Sequence, residues 1–171
     1  MNILVMIVST FITAVFTENI VFYYTYGICP FLGVSQKSKT AIGMGLTVIL
    51  VITLSSILSY LIYTYLLIPF ELEYLQILLF ILIIASLVQL MEILFKRFIP
   101  ALYKGLGIYL PLVTTNCAVL GTANAVITKG FMFIETVFYS LFIGVGFLLA
   151  LILMSGIRER LEKADVPKSF K

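Results

Sequence analysis

The chain has 171 residues, 62% of them hydrophobic and 11% charged, with a mean hydropathy of +1.17 and a formal net charge of +3. That is too little polar surface to cover a water-soluble globule, so the chain reads as one membrane domain surrounded by lipid, with no nucleic-acid partner. The absence of histidine excludes histidine-ligated haem, Rieske-type clusters and histidine proton relays within the chain.

In chain order the apolar runs give five candidate spans, at roughly 2–24, 40–67, 73–95, 105–127 and 131–155. About 20 predominantly apolar residues cross a bilayer core of roughly 30 Å as a helix. The runs are long and continuous, without the alternation of barrel strands. The first lacks a basic leader and a small-residue cleavage site, so it is expected to stay as a span and not to leave as a signal peptide. Polar connectors lie at Ser35 to Lys39, Pro69 to Glu73, Lys96 to Lys104 and Thr128 to Gly130, and a charged tail runs from Arg158 to Lys171.

Lys and Arg are retained on the cytoplasmic side of a membrane. Lys37, Lys39, Lys96, Arg97, Lys104 and the five basic residues of the tail share one side, and Lys129 alone lies opposite. The N-terminus is therefore expected outside and residue 171 in the cytoplasm, in a bacterial cytoplasmic (inner) membrane.

The two cysteines open the same pattern, Cys29-Pro-Phe-Leu-Gly33 and Cys117-Ala-Val-Leu-Gly121, at an interval of 88 residues. That shift lays the first span on the fourth and the second on the fifth. Three spans separate equivalent points, so the second unit runs the opposite way, as an inverted-topology repeat of about 1–95 and about 96–171. The fold class is an all-α integral membrane bundle with a 3+3 inverted repeat. The third span predicts a sixth beyond residue 171; its absence is read as a missing helix or as partial symmetry.

The first and fourth spans carry helix breakers: Glu18, Asn19, Gly27 and Pro30 in one, and Gly105, Gly107, Pro111, Thr114, Thr115, Asn116 and Gly121 in the other. Non-helical backbone at membrane depth is tolerated only where protein buries it or water reaches it. Counting from Lys37 and Lys104 at ~1.5 Å per residue puts Cys29 and Cys117 about 12 and 20 Å deep, on either side of the midplane. Buried thiols commonly serve as small apolar residues, and a disulfide or a metal centre are the other readings. A repeated Cys and Gly favour the metal. A [2Fe–2S] centre needs four ligands and the chain has two, so a second chain has to complete it.

The segments Gly27-Ile-Cys-Pro-Phe-Leu-Gly-Val-Ser35, Thr40-Ala-Ile-Gly-Met-Gly45, Gly107-Ile-Tyr-Leu-Pro-Leu-Val-Thr-Thr-Asn-Cys-Ala-Val-Leu-Gly121, Gly156-Ile-Arg-Glu-Arg160 and Ala164-Asp-Val-Pro167 resemble RnfA, a membrane component of the Rnf ion-translocating ferredoxin:NAD oxidoreductase complex. NqrD and NqrE of the sodium-translocating NADH:quinone oxidoreductase are related, and NqrE is the rival identification. The resemblance implies six helices with inverted repeats and, for partner, a homologous RnfE-like chain of opposite orientation. Their four cysteines hold one intramembrane [2Fe–2S] cluster, and Cys29 and Cys117 match the ligand positions. The complex couples electron transfer between ferredoxin and NAD to sodium or proton movement, with flavins and further Fe–S clusters in the other Rnf components. Two departures stand out: the sixth helix is not present, and Glu18-Asn19 stands where RnfA more often has two asparagines. A different class, a non-redox inverted-repeat secondary transporter with inert cysteines, predicts the same topology.

On this reading the chain has no catalytic residue of its own and is a relay. Amide donors of Leu32, Gly33, Leu120 and Gly121 are the candidate hydrogen-bond partners of the cluster sulfurs. Glu92 lies one turn before Lys96, where an i,i+4 pair satisfies it. Glu18 has no basic neighbour at helical spacing; with Asn19, Thr17 and Thr13 it is a candidate cation route of hard oxygen ligands, or else an interface residue. Tyr23, Tyr24, Tyr26, Tyr60, Tyr63, Tyr65 and Tyr103 read as interfacial belts. Gly43, Gly45, Gly144 and Gly146 read as close-packing patches.

Overall fold

A computed structural model describes residues 3–34, 38–70, 73–98 and 116–163, and among these there is no strand. Helix α1 (Ile3–Ile12) is apolar except for Ser9 and Thr10 and continues into a wider π turn, Thr13–Thr17, closed by the Glu18 N–H donating to the Thr13 carbonyl at 2.7 Å. Asn19 ends it. Its side-chain oxygen accepts from the Val21 N–H at 3.0 Å and from the Phe22 N–H at 3.5 Å, drawing off donors that a continuing helix would use. The first span therefore stops as a helix at Thr17, short of the expected residue 24. After an irregular stretch the chain re-enters a helix at α2 (Ile28–Val34), where Pro30 sits in the first turn and needs no N–H partner.

Helix α3 (Ser38–Ile62) runs on through a second π turn, Tyr63–Leu67, into Ile68–Phe70. Pro69 has no N–H for this last turn, and the widened turn before it gives the ring room. A single 3₁₀ turn, Glu73–Leu75, leads into α4 (Gln76–Phe98). Helix α5 (Cys117–Thr128) starts on Asn116, whose oxygen accepts from the Ala118 N–H at 3.0 Å as an N-cap. Gly130, at φ +65, closes it with an N–H to the Ile127 carbonyl at 3.0 Å. Helix α6 (Phe133–Lys163) runs about two turns beyond the expected end of the last span, and Glu135 in its first turn accepts from the Met132 N–H at 3.1 Å. Among the described residues, Ala41–Phe70, Gln76–Leu94 and Phe133–Leu161 are long and apolar enough to cross a membrane.

The principal contact joins α3 to α6. A Cβ on Gly45 would meet Leu148, one on Gly144 would meet Ile49, and the Tyr60 and Phe133 rings lie 6.0 Å apart. These pairings fix an antiparallel register. Helices α3 and α6 are the second and fifth spans, which the cysteine interval superposes, and their opposite course is what an inverted repeat requires. The glycines of both patches let the backbones approach, as expected. Met44, Val48, Val51 and Ile52 of α3 meet Ile143, Phe147, Ala150 and Leu151 of α6 in one core, joined by Val119, Ala123 and Val126 of α5 and by Phe80, Ile84 and Val88 of α4.

Candidate functional site

The chain break between Asn19 and α2 and the start of α5 meet beneath α6. Gly27 is the junction. Its φ is +79, which costs a side-chain-bearing residue about 1–2 kcal/mol, and a Cβ there would lie 2.6 Å from the Phe147 ring and 3.2 Å from the Asn116 oxygen. With no side chain, Gly27 turns its N–H onto the sulfur of Cys117, at 2.9 Å. Cys29 is two residues further on, in the first turn of α2, and Cys117 is the first residue of α5. The structure thus sets Gly27, two residues before the first cysteine, against the second cysteine. Both thiols are free and exposed on the chain surface.

Asn116 and Asn19 hold this junction from either side. Asn116 is 3% exposed; its oxygen is spent on the α5 cap, and its amide nitrogen is buried with no partner among the described residues. Asn19, also 3% exposed, donates to the Val15 carbonyl at 3.0 Å and to the Gly146 carbonyl at 3.1 Å, so every hydrogen-bonding position of its carboxamide is taken inside the fold. Gly146 matters here because a Cβ would stand 3.2 Å from that amide nitrogen.

The other expected donors are placed differently. Leu32 and Gly33 lie in α2, and Leu120 and Gly121 lie in the second turn of α5, where backbone N–H groups point along the helix to carbonyls a turn earlier. The Leu32 carbonyl accepts from Arg158 at 2.8 Å, a cation at the C-terminal end of the half-helix. Gly121 makes room for an aromatic ring: a Cβ would fall 2.5 Å from Tyr26. Tyr26 stacks on Tyr24 at 5.7 Å, and the two line a cavity of about 230 Å³ with Gly121, Asn124, Lys129 and Tyr139. Tyr26 thus lies against α5 one turn after Cys117. Tyr103 and the breakers from Gly105 to Thr115 lie outside the described residues.

Glu18 has a partner that sequence spacing does not reveal. Lys129, in the connector after α5, makes an ion pair with it, and the Lys129 nitrogen also lies 5.1 Å from the centre of the Tyr139 ring. Burial alone lowers the Lys129 pKa, but the hydrogen bond to Glu18 and the charges of Tyr139 and Glu18 outweigh it and hold the ammonium above its usual value. Glu92 and Lys96 both lie on α4, one turn apart.

Among the described residues no group of three or more metal-ligating side chains comes together. The donors present are two exposed thiols, a backbone N–H already on one sulfur, and, in the residue before Cys117, an amide nitrogen with no partner among the described residues. Two such thiols fit an iron–sulfur group only when another chain adds two more.

Residues 7–170 match the Rnf-Nqr family, described as "Rnf-Nqr subunit, membrane protein". The chain is 51% identical over 160 residues to the A subunit of the Na(+)-translocating ferredoxin:NAD(+) oxidoreductase complex of Acetobacterium woodii, covering 94% of this chain and 83% of that protein. It is 51% identical, with the same coverage, to the A subunit of the ion-translocating oxidoreductase complex of Shewanella sediminis, and 52% identical over 157 residues to that of Shewanella loihica, covering 92% and 82%. All three relatives are named for the A position of their complexes, in line with the Rnf side of the resemblance. The chain belongs to the Rnf-Nqr family of membrane subunits.

Proposed function

We propose that the chain is the RnfA component of an Rnf-type complex, in the cytoplasmic membrane of a bacterium, and that with a homologous RnfE-like chain it holds a [2Fe–2S] cluster serving ferredoxin:NAD oxidoreduction coupled to Na⁺ or H⁺ translocation. The observation that carries this reading is the Gly27 N–H on the Cys117 sulfur, two residues before Cys29, with both thiols exposed. The names of the relatives, which include ion translocation and ferredoxin:NAD oxidoreduction, support the setting.

A cluster held there accepts and releases single electrons, so a crossing too long for one tunnelling step divides into two. The chain's own part is to supply two thiolates, to place them on its surface where the partner's pair completes the set, and to aim the Gly27 N–H at sulfur, which favours added negative charge. The N-terminal end of α5, where Cys117 sits, adds the positive end of a helix dipole. The basic residues of the connectors and tail support an outside N-terminus and a cytoplasmic residue 171. Lys129, the one basic residue on the outer side of that arrangement, is paired with Glu18.

The test is iron and acid-labile sulfide in the purified RnfA/RnfE-type assembly, together with an EPR signal on reduction. Cys29→Ala and Cys117→Ala should each abolish the signal while the two chains still associate. Retention of the signal in either variant contradicts the assignment and leaves the cysteines as packing residues.

A further inference from the structure

Lys129, paired with Glu18, stands between two cavities. Lys129 and Tyr139 line both: the cavity of about 230 Å³ that reaches Tyr26 and Gly121, and a second of about 190 Å³ that runs beside Ser9, Thr10 and Thr13 of the first span. We propose that this pair is a cation gate, in which a monovalent cation replaces the Lys129 ammonium on the Glu18 carboxylate and the displaced ammonium swings into the larger cavity.

Four observations carry the exchange. First, the Glu18 backbone is fixed: its N–H closes the π turn on Thr13, and the adjoining Asn19 is bonded on all sides. Lys129 is the movable member, a four-carbon stem on a connector residue. Second, the smaller cavity offers hard oxygens. The Ser9 and Thr10 hydroxyls donate to the Met6 carbonyl at 3.0 and 2.8 Å, which uses their protons and leaves oxygen lone pairs to accept a cation, and Thr13 adds a third hydroxyl. Third, the larger cavity offers Tyr24, Asn124 and Thr128 to the displaced ammonium. Fourth, the pair is cheap to open. Its side chains are 32% and 26% exposed, and pairs reached by solvent are worth about 0–1 kcal/mol, so a cation at ordinary concentration competes with a tethered ammonium.

Exchange adds one positive charge to a region whose inner end lies at Gly121, one turn after Cys117. Negative charge arriving at the cysteine site therefore favours cation entry, and loss of that charge favours return of Lys129 to Glu18. This coupling rests on the function proposed above; the exchange itself rests on the pair and its cavities. Sodium and a proton share the needed chemistry, since each neutralises the Glu18 carboxylate.

The experiment uses the intact complex in lipid vesicles, with ²²Na⁺ uptake and a pH-sensitive dye followed in parallel and expressed per electron transferred. In the E18Q/K129Q double variant, which removes both charges and leaves no ion unpaired, cation uptake per electron should collapse. The arm that collapses, sodium or dye, identifies the passenger. Lys129→Arg keeps the pair but holds the carboxylate with a planar, bidentate fork, so it should raise several-fold the cation concentration giving half-maximal uptake. Wild-type uptake per electron in the double variant, or an unchanged half-maximal concentration in Lys129→Arg, overturns the gate and makes the pair a structural strut. A wild-type complex with no EPR-active cluster sinks the functional reading, and leaves these uptake results to decide the gate on their own.

Discussion

The backbone N–H of Gly27 donates to the sulfur of Cys117 over 2.9 Å, joining residues 90 apart in the chain. One residue of the first repeat thereby serves the cysteine of the second. The contact depends on a backbone conformation that only glycine adopts without strain, and on the missing Cβ that would otherwise strike Phe147.

Gly27→Ala tests that dependence. The left-handed φ costs about 1–2 kcal/mol and the clash with the packed Phe147 ring costs about 1–3 kcal/mol more. We expect a lowered thermal midpoint of the purified complex in detergent, together with a lowered iron content per complex. An unchanged midpoint and full iron would show that the turn relaxes without consequence for the site.

The two glycine patches make a comparative prediction. A Cβ on Gly144 would stand 3.0 Å from the Ile49 Cα, which is backbone, whereas one on Gly45 would meet the Leu148 Cδ1, at 2.2 Å, which is the far end of a flexible side chain. A rotamer change relieves the second contact, and only separation of α3 from α6 relieves the first. Gly144→Ala should therefore destabilise more than Gly45→Ala, despite the longer distance. Thermal unfolding of the two variants side by side decides it, and the reverse order contradicts the antiparallel seam as described.

The two buried asparagines separate in the same way. Asn19→Ser loses the reach to Gly146 and with it a buried side-chain bond between the first span and α6, at about 1–3 kcal/mol. Asn116→Ser keeps an oxygen for the α5 cap and discards an amide nitrogen that has no partner among the described residues, so its cost should stay within about 1 kcal/mol. Equal losses in the two variants would mean that the Asn116 nitrogen is paired in the complex.

Much of the fold is legible from the sequence because it is carried by local signals. Uninterrupted apolar runs mark the spans near α3, α4 and α6, and the cysteine interval marks the repeat whose second and fifth spans indeed run antiparallel. What escapes is made by contacts distant in sequence. Gly27 stands out only as a helix breaker, although a glycine directly before a helix start is a signal for a left-handed turn; that its N–H meets Cys117 follows from the path of α6 over the junction. Lys129 reads as an outer connector charge, since nothing in its neighbours shows that the break after Thr17 brings Glu18 within reach. The end of the first helix at Thr17 is legible from the breakers Glu18 and Asn19, but the bond from Asn19 to Gly146 crosses to another helix and leaves no periodic trace.

The central claim is that Cys29 and Cys117 are half of a four-thiolate site. A density map of the intact assembly tests it most directly. The account predicts one compact inorganic density bridging both sulfurs of this chain to two cysteine sulfurs of a homologous chain across the exposed face. Thiols bare of such density, or a partner seated on another face of the chain, would contradict it.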